Sequence, residues 1–329
     1  MKKFIIIIIL VLVPAISLGQ TVTSGSGDLG LTVNPNNPGP NSTTTLKVTS
    51  YAFSVSGANY NWTLNGKKVL SGLGKNELVF KTGNLGTQSE VVVSAIYDGR
   101  LFEKKIVFYQ NSADLMWETL NTYSPSFYEG KVFPATGSKV RVVATPNIYR
   151  AGKKVAADKL NYTWSVNFKK VESSSGLGKN SIDLTANNAV SQIVDVSISD
   201  PSQPAVTIKK SVAIPTKSLE VVFYQYQPLV GPLYGQGLKS GFTTNSNETG
   251  LWAEIFNISQ EDFLFLDYAW QLNSKSLPTD QTNPQQVTVT SPSASSTRSF
   301  LSLTVTNPNN IFQVARGLLT IYFGSGVQF

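Results

Sequence analysis

The 329-residue chain contains no cysteine and no histidine. Because these residues supply most zinc ligands, thiol nucleophiles and imidazole bases, the sequence excludes all three kinds of site. No disulfide is available either, so each domain has to be stable through its hydrophobic core. Apolar residues make up 41% of the chain. A chain of this length and composition has enough apolar surface for a core in each of two or three domains.

Charge is sparse and only mildly unbalanced, with 27 basic and 20 acidic residues and a formal net charge of +7. A nucleic-acid-binding surface needs its basic residues clustered on one face, and the clusters here are no longer than pairs. We therefore expect no nucleic-acid partner and interpret the pairs as solvated strand edges, where lysine discourages edge-to-edge pairing. The pairs are Lys67-Lys68, Lys104-Lys105, Lys153-Lys154, Lys169-Lys170 and Lys209-Lys210.

The N-terminus carries the one long apolar run of the sequence. A basic start is followed by an isoleucine-rich stretch from Phe4 to Leu18 and by a small residue at Gly19. This three-part pattern predicts a secretory signal peptide over 1–19, followed by a linker over 20–27. The run is shorter than the roughly 20 residues of a membrane span. We expect a secreted or cell-surface protein, and an uncleaved N-terminal anchor, which would be its membrane contact, is the alternative.

A six-residue motif, Tyr-x-Trp-x-(Leu/Val)-Asn, occurs three times at intervals of about 100 residues. Its tyrosine, tryptophan and aliphatic residue lie at i, i+2 and i+4, which places them on one face of a β-strand. We therefore expect the same aromatic pair in the core of three homologous domains. The predicted core residues are Tyr60, Trp62, Tyr162, Trp164, Tyr268 and Trp270.

A second motif, Gly-Leu-Gly-Lys-Asn, follows the first two tryptophans at 72–76 and 176–180. A phosphate-binding loop would continue with Ser or Thr and a helix, whereas here Asn and a strand pattern follow. We interpret the motif as a loop in which glycine supplies positive φ. Each copy gives about seven short strands between Gly, Pro, Asn and Ser turns, which is typical of a β-sandwich. The predicted domains cover 28–110, 111–216 and 217–329.

These features resemble the bacterial Ig-like and PKD-like domains of exported proteins. The resemblance depends on the three motif tryptophans, because in an Ig-like sandwich a tryptophan on strand C packs across the core. A PKD domain continues this strand with Asp-Phe-Gly-Asp-Gly, whereas this chain has Leu64-Asn65-Gly66-Lys67, so Ig-like is the closer description. The resemblance implies an all-β chain of three tandem Ig-like β-sandwich domains. Such domains serve as spacers, adhesive modules or glycan binders.

Acidic residues before the third tryptophan motif come closest to the carboxylate pair of a glycosidase. We expect these residues to lie in a solvated polar connection without catalytic activity. We also expect no cofactor; calcium in a loop between strands is the alternative, although the EF-hand spacing is absent. The acidic residues are Glu254, Glu261, Asp262 and Asp267.

The third copy carries additional aromatic residues in positions that suggest exposure. Because half of each alternating strand faces the core, we interpret them first as core residues; contact with a ligand is the alternative, since aromatic side chains dominate binding hot spots. The sequence thus predicts a non-catalytic structural or adhesive protein, not an enzyme. A carbohydrate- or protein-binding module is the alternative, and a membrane-anchored surface protein the second alternative. The expected partners are other surface proteins or cell-envelope glycans. The candidate ligand contacts are Tyr224, Tyr226, Tyr234 and Trp252.

Overall fold

The computed structural model describes residues 29–239, 241–291 and 297–324. The predicted signal peptide and linker lie outside the described residues, as does the C-terminal end of the predicted third domain. Within these ranges the helices are the four-residue α1 (Gln260–Phe263) and two short 3-10 turns, Ala157–Lys159 and Glu172–Ser174. None of the helices in the described part of the chain is long and apolar enough to span a bilayer.

The chain divides into two compact units. The described part of unit 1 comprises 29–113, 146–156 and 199–208. Unit 2 comprises 114–145 and 157–198 together with the described residues from 209 onwards. The predicted second domain therefore contributes residues to both units.

The first repeat is a sandwich of two antiparallel sheets within unit 1. Its strands are β1 (Gly30–Asn34), β2 (Thr43–Thr49), β3 (Asn59–Leu64), β4 (Lys67–Leu73), β5 (Glu77–Lys81), β6 (Gln88–Tyr97) and β7 (Arg100–Tyr109). One sheet has the order β1-β2-β5 and the other β4-β3-β6-β7. Leu46 and Phe80 from the first sheet join Trp62 and Val93 from the second in one buried cluster. The period-two alternation of each strand thus fills a core between the sheets.

The second repeat has the same strand order. Its strands are β8 (Ser112–Thr119), β9 (Lys139–Asn147), β10 (Tyr149–Arg150), β11 (Lys153–Lys154), β12 (Asn161–Val166), β13 (Lys169–Lys170), β14 (Gly176–Leu177), β15 (Ser181–Thr185), β16 (Ser191–Asp200) and β17 (Gln203–Pro215). The sheets are β15-β9-β8 and β13-β12-β16-β17, with β14 also paired to β12, and β10 and β11 form a separate hairpin.

The third repeat, in unit 2, adds short strands at both sheet edges. Its strands are β18 (Glu220–Gln227), β19 (Gly231–Pro232), β20 (Gly241–Thr244), β21 (Glu248–Phe256), β22 (Asp267–Leu272), β23 (Lys275–Ser276), β24 (Gln286–Thr290), β25 (Thr297–Thr306) and β26 (Val314–Phe323). The sheets are β19-β18-β21-β24 and β20-β26-β25-β22-β23. The predicted class, all-β with tandem Ig-like sandwiches, is confirmed by the strand pairing of the three repeats.

The tryptophan of each motif is enclosed by its sandwich. Trp62 and Trp164 have no exposed surface and Trp270 is 1% exposed. Each indole N–H donates to a backbone carbonyl, at 2.8 Å to Lys75, 2.8 Å to Lys179 and 3.0 Å to Pro284. A buried indole needs such an acceptor, because an unpaired N–H in the core costs free energy.

The motif tyrosines do not all occupy equivalent environments. Tyr60 and Tyr162 are buried, and their hydroxyls donate to the carbonyls of Val55 and Ala157. Tyr268 was expected in the core, but it is half-buried and packs against the margin of the core of the third repeat.

The motif asparagine fixes the turn after the tryptophan strand. Asn65 has φ 50°. Its backbone N–H donates to the carbonyl of Glu90, and its side-chain oxygen accepts from the N–H of Glu90, both at 2.8 Å. Asn167 and Asn273 make the same reciprocal pair with the facing strand of their own repeats. Asparagine suits this position because it tolerates the left-handed region and carries an acceptor.

The Gly-Leu-Gly-Lys-Asn motif places the carbonyl that accepts the indole N–H. Gly74 and Gly178, its second glycines, have φ +66° and +72°. Their N–H groups donate to the carbonyls of Ala58 at 2.9 Å and Leu160 at 2.8 Å. The next residue in each case, Lys75 or Lys179, provides the acceptor. The motif therefore has a structural role in this fold.

Gly74→Ala is expected to destabilise the first repeat more than Gly66→Ala does. Both glycines have left-handed φ, so each substitution costs about 1 kcal/mol. An added Cβ at Gly74 would lie 3.1 Å from the Ser56 carbonyl oxygen, whereas one at Gly66 meets nothing within 4 Å. Urea unfolding of the two variants measures the difference, expected at about 1 kcal/mol. Equal losses would contradict a role for the Ser56 contact.

Candidate functional site

The outward face of the first sheet of the third repeat carries a concentration of aromatic rings. Alternation along β18 and β21 directs Phe223 and Leu251 into the core. Their neighbours Tyr224 and Trp252 therefore lie on the opposite face, directly paired across the two strands. We call this surface the aromatic face, and it also carries Tyr226, Glu254 and Phe256.

The long connection over residues 120–138, between β8 and β9, covers part of the aromatic face. Phe127 stacks on Tyr234 with ring centroids 4.0 Å apart and meets Tyr224 edge-on at 5.7 Å. Tyr123 stacks on Phe263 at 4.2 Å. The backbone N–H of Tyr123 donates to the Ile258 carbonyl at 2.6 Å. All these residues belong to unit 2, so the second and third repeats are joined here by both stacking and backbone hydrogen bonds.

Glu254 lies at the centre of this contact and is 1% exposed. One carboxylate oxygen accepts from the Tyr123 hydroxyl at 2.9 Å. The other accepts from the Tyr234 hydroxyl and the Trp252 indole N–H, both at 3.2 Å. A carboxylate can be buried at tolerable cost only when such donors replace its water. The aromatic face therefore contains a hydrogen-bonded acidic centre.

The phenols around Glu254 are held in their protonated form. Burial raises the pKa of Tyr123 above its ordinary value, and the Glu254 carboxylate raises it further. The same two causes, in the same order, raise the pKa of Tyr234 to about 12. Burial and the Glu254 charge also raise the pKa of Tyr268. These hydroxyls are therefore hydrogen-bond donors at neutral pH and do not act there as bases.

An open cavity of about 400 Å³ lies between the 120–138 connection and the aromatic face. This volume falls within the roughly 300–1,000 Å³ of small-molecule sites, which are lined mainly by apolar and aromatic groups with a few polar ones. The polar lining residues are Ser124, Lys131, Lys217, Glu220 and Asn257. The aromatic lining residues are Tyr123, Phe127, Tyr128, Phe133, Tyr224 and Phe256.

The structure brings the four predicted ligand residues onto one face, but in different environments. Tyr224 is 6% exposed because Phe127 and Tyr234 pack against its ring, so it is buried on the outward face of the sheet and not in the core between the sheets. It still lines the cavity. Tyr226 and Trp252 are half-buried and stack on each other at 6.1 Å, and Tyr234 is half-buried against Phe127.

Sequence reasoning missed the contribution of the 120–138 connection to the cavity. Four aromatic residues fall between positions 123 and 133, a density that is unusual for a loop. That density was the available signal. No periodicity accompanies it, so the surface that the rings cover could not be predicted from the sequence. The four are Tyr123, Phe127, Tyr128 and Phe133.

The acidic residues before the third motif are not gathered in one solvated connection as expected. Glu254 lies in β21, where burial and aromatic donors surround it. Glu261 and Asp262 belong to α1, whose first turn is capped by the Ser259 hydroxyl accepting from the Asp262 N–H at 3.1 Å. Asp267 begins β22 and is exposed. Among the described residues, no group of three or more acidic side chains is placed to hold a metal ion.

No protein-family model and no curated protein matches the chain. Solved structures with similar architecture include the three N-terminal domains of the highly immunogenic outer capsid protein of bacteriophage RB49. That structure is 12% identical, with 91% of this chain and 99% of that chain covered and a TM-score of 0.25. The central fibronectin-III array of RIM-binding protein is 8% identical, with 92% and 99% covered and a TM-score of 0.32.

A third similar structure is the Bacteroides ovatus protein SGBP-B of a mixed-linkage glucan utilization locus, in complex with a mixed-linkage heptasaccharide. It is 9% identical, with 94% of this chain and 70% of that chain covered and a TM-score of 0.25. Because these whole-chain TM-scores are low, the fold class is assigned from the strand pairing within each repeat.

Proposed function

We propose that the protein is a non-catalytic binding protein of the cell exterior, whose Ig-like repeats position an aromatic-lined cavity as the contact site. The observation that carries the proposal is the cavity between the 120–138 connection and the aromatic face. Its rings offer flat apolar surfaces beside a few polar groups, the composition by which pockets hold sugars and other small ligands. Cell-envelope glycans and other surface proteins are the proposed partners.

Two observations support the non-catalytic part of the proposal. The chain has no cysteine or histidine. The carboxylate Glu254 is 1% exposed and accepts hydrogen bonds from three aromatic donors, so a ligand in the cavity does not reach it. The location at the cell exterior is proposed from the signal-peptide pattern over 1–19.

A structural or adhesive role is the second candidate, and the contact between the second and third repeats favours it. The Gln260 N–H donates to the Asn121 carbonyl at 2.8 Å. The Gln313 side chain donates to the Thr136 carbonyl at 2.7 Å. Together with the Glu254 centre, these bonds support a fixed arrangement of the two repeats, which suits a module that projects a surface.

Tyr128→Ala tests the proposed site. Tyr128 is 39% exposed and packs edge-on against Phe256 at 5.7 Å, so its removal opens the cavity wall with little effect on the core. We expect binding to a cell-envelope preparation to fall about fivefold or more, as at an interface hot spot, with an unchanged circular dichroism spectrum. Tyr51→Ala, an exposed tyrosine of the first repeat, is the control and should bind normally. Equal binding by both variants would contradict the proposed site.

A further inference from the structure

Positively charged side chains outnumber negatively charged ones in the lining of the cavity. Its lining contains Lys131, Lys217 and Glu220, which gives an excess of one positive charge. None of the three belongs to an ion pair within the described part of the chain. Among the described residues, the two ammonium groups therefore have no carboxylate within ion-pair distance.

The two lysines are held in place by aromatic rings. The Lys131 ammonium lies 3.4 Å from the centroid of the Trp117 ring, and the Lys217 ammonium lies 5.6 Å from that of Phe133. The two rings are themselves 6.1 Å apart. A cation–π contact restrains an ammonium group without using its N–H donors. Both lysines line the cavity, and their ammonium groups keep their N–H donors for a ligand.

Neutral polar groups lie among the rings of the same cavity. Ser124 and Tyr224 line it, and neither hydroxyl donates a hydrogen bond to another described residue. Burial raises the pKa of Tyr224, and the nearby Glu254 and Glu220 charges add to the effect, so its hydroxyl stays a donor. Asn257 and the Glu220 carboxylate complete the polar lining. A purely apolar or flat aromatic ligand would leave the Ser124 and Tyr224 hydroxyls without partners, whereas the Asn257 amide already donates to the Ser218 carbonyl at 3.0 Å.

We infer that the cavity binds an acidic saccharide, with a sugar ring against the aromatic wall and its carboxylate towards Lys131 and Lys217. The inference rests on the proposed function, because it takes the cavity as the contact site and names its ligand class. A cavity of about 400 Å³ suits one or two sugar rings. Ser124, Tyr224 and Glu220 supply hydrogen-bond partners for sugar hydroxyls. The excess of a single positive charge favours a singly charged group such as one carboxylate over a doubly charged phosphate monoester.

The inference is tested by titrating the full chain with glucuronate and galacturonate, as mono- and disaccharides. The affinities are compared with those for the matching neutral glucose and galactose compounds. Chemical shifts report the binding, and the indole N–H signal of Trp117 reports on the surroundings of Lys131. We expect the acidic compounds to bind about fivefold more tightly than their neutral counterparts, and the preference to weaken as ionic strength rises. Capture on an immobilised polyuronate would identify an envelope polysaccharide as the source; binding of the small compounds alone would identify a free sugar.

The double variant Lys131→Gln/Lys217→Gln should lose the preference for the acidic compounds and retain the fold. Lys209→Gln/Lys210→Gln, an exposed pair on β17, removes the same charge elsewhere and should keep the preference. The inference is overturned if acidic and neutral sugars bind equally, if neither binds, or if the control pair has the same effect. In those cases a loss of envelope binding in Tyr128→Ala would still support the cavity as a contact site for another ligand.

Discussion

A Trp164→Ala chain is expected to lose its second repeat as a cooperatively folded domain. Trp164 has no exposed surface, and its indole donates to the Lys179 carbonyl at 2.8 Å. The substitution leaves a cavity and an unpaired carbonyl, with a combined cost of about 3–5 kcal/mol. That is a large share of the roughly 5–15 kcal/mol that stabilises a typical domain. Denaturant unfolding followed by circular dichroism should show an early transition that the unchanged chain lacks.

Phe168→Ala is the matched control for this experiment. It removes an aromatic ring from the same repeat, but Phe168 is 82% exposed at the turn after β12. The free energy of unfolding of the Phe168→Ala variant should stay within about 0.5 kcal/mol of that of the unchanged chain, as is usual for surface substitutions. An unchanged unfolding profile for Trp164→Ala would show that the indole does not stabilise the core.

Glu254→Ala is expected to destabilise the third repeat and release the 120–138 connection. The substitution leaves the hydroxyls of Tyr123 and Tyr234 and the indole N–H of Trp252 without their acceptor. Each unpaired buried donor costs about 1–3 kcal/mol, so a total of about 3 kcal/mol is expected after partial rearrangement. Hydrogen exchange should increase at the Tyr123 amide, which donates to Ile258 in the intact contact.

Two controls separate the acidic centre from a general effect of charge removal. Glu248→Ala removes an exposed carboxylate from the same strand and should change the free energy of unfolding by less than about 0.5 kcal/mol. Tyr123→Phe removes one donor while it keeps the stack on Phe263, and about 1 kcal/mol of destabilisation is expected. If Glu254→Ala and Glu248→Ala behaved alike, the hydrogen bonds to Glu254 would not hold the contact.

The motif residues show how much a local pattern can predict. The i, i+2, i+4 spacing placed Trp62 on the buried face of its strand because side chains alternate across any β-strand. The same rule applied to Tyr268 is less accurate, because that residue is only half-buried and packs against the margin of its core. The pattern did not indicate that Asn65 pairs with Glu90, since that bond joins a turn residue to a residue of a strand that comes later in the chain.

The aromatic face shows what alternation leaves undecided. The pattern of β21 divides its residues between two faces and identifies the face of Leu251 as the core. It does not reveal that the opposite face is also covered, here by the 120–138 connection. Glu254 was therefore expected in solvent, whereas its hydroxyl donor at Tyr123 lies 131 positions earlier in the sequence.

The sequence by itself determined the all-β class, the three repeated cores and the absence of cysteine and histidine chemistry. These properties follow from the composition of the chain and from the spacing of residues within short motifs. Both can be read from the sequence without knowing which distant segments come into contact. Tertiary structure alone decided the acidic centre and the cavity, because both form where a loop of one repeat docks on a sheet of the next. Such docking depends on the complementary shapes of two folded surfaces, and no periodic pattern in the chain encodes it.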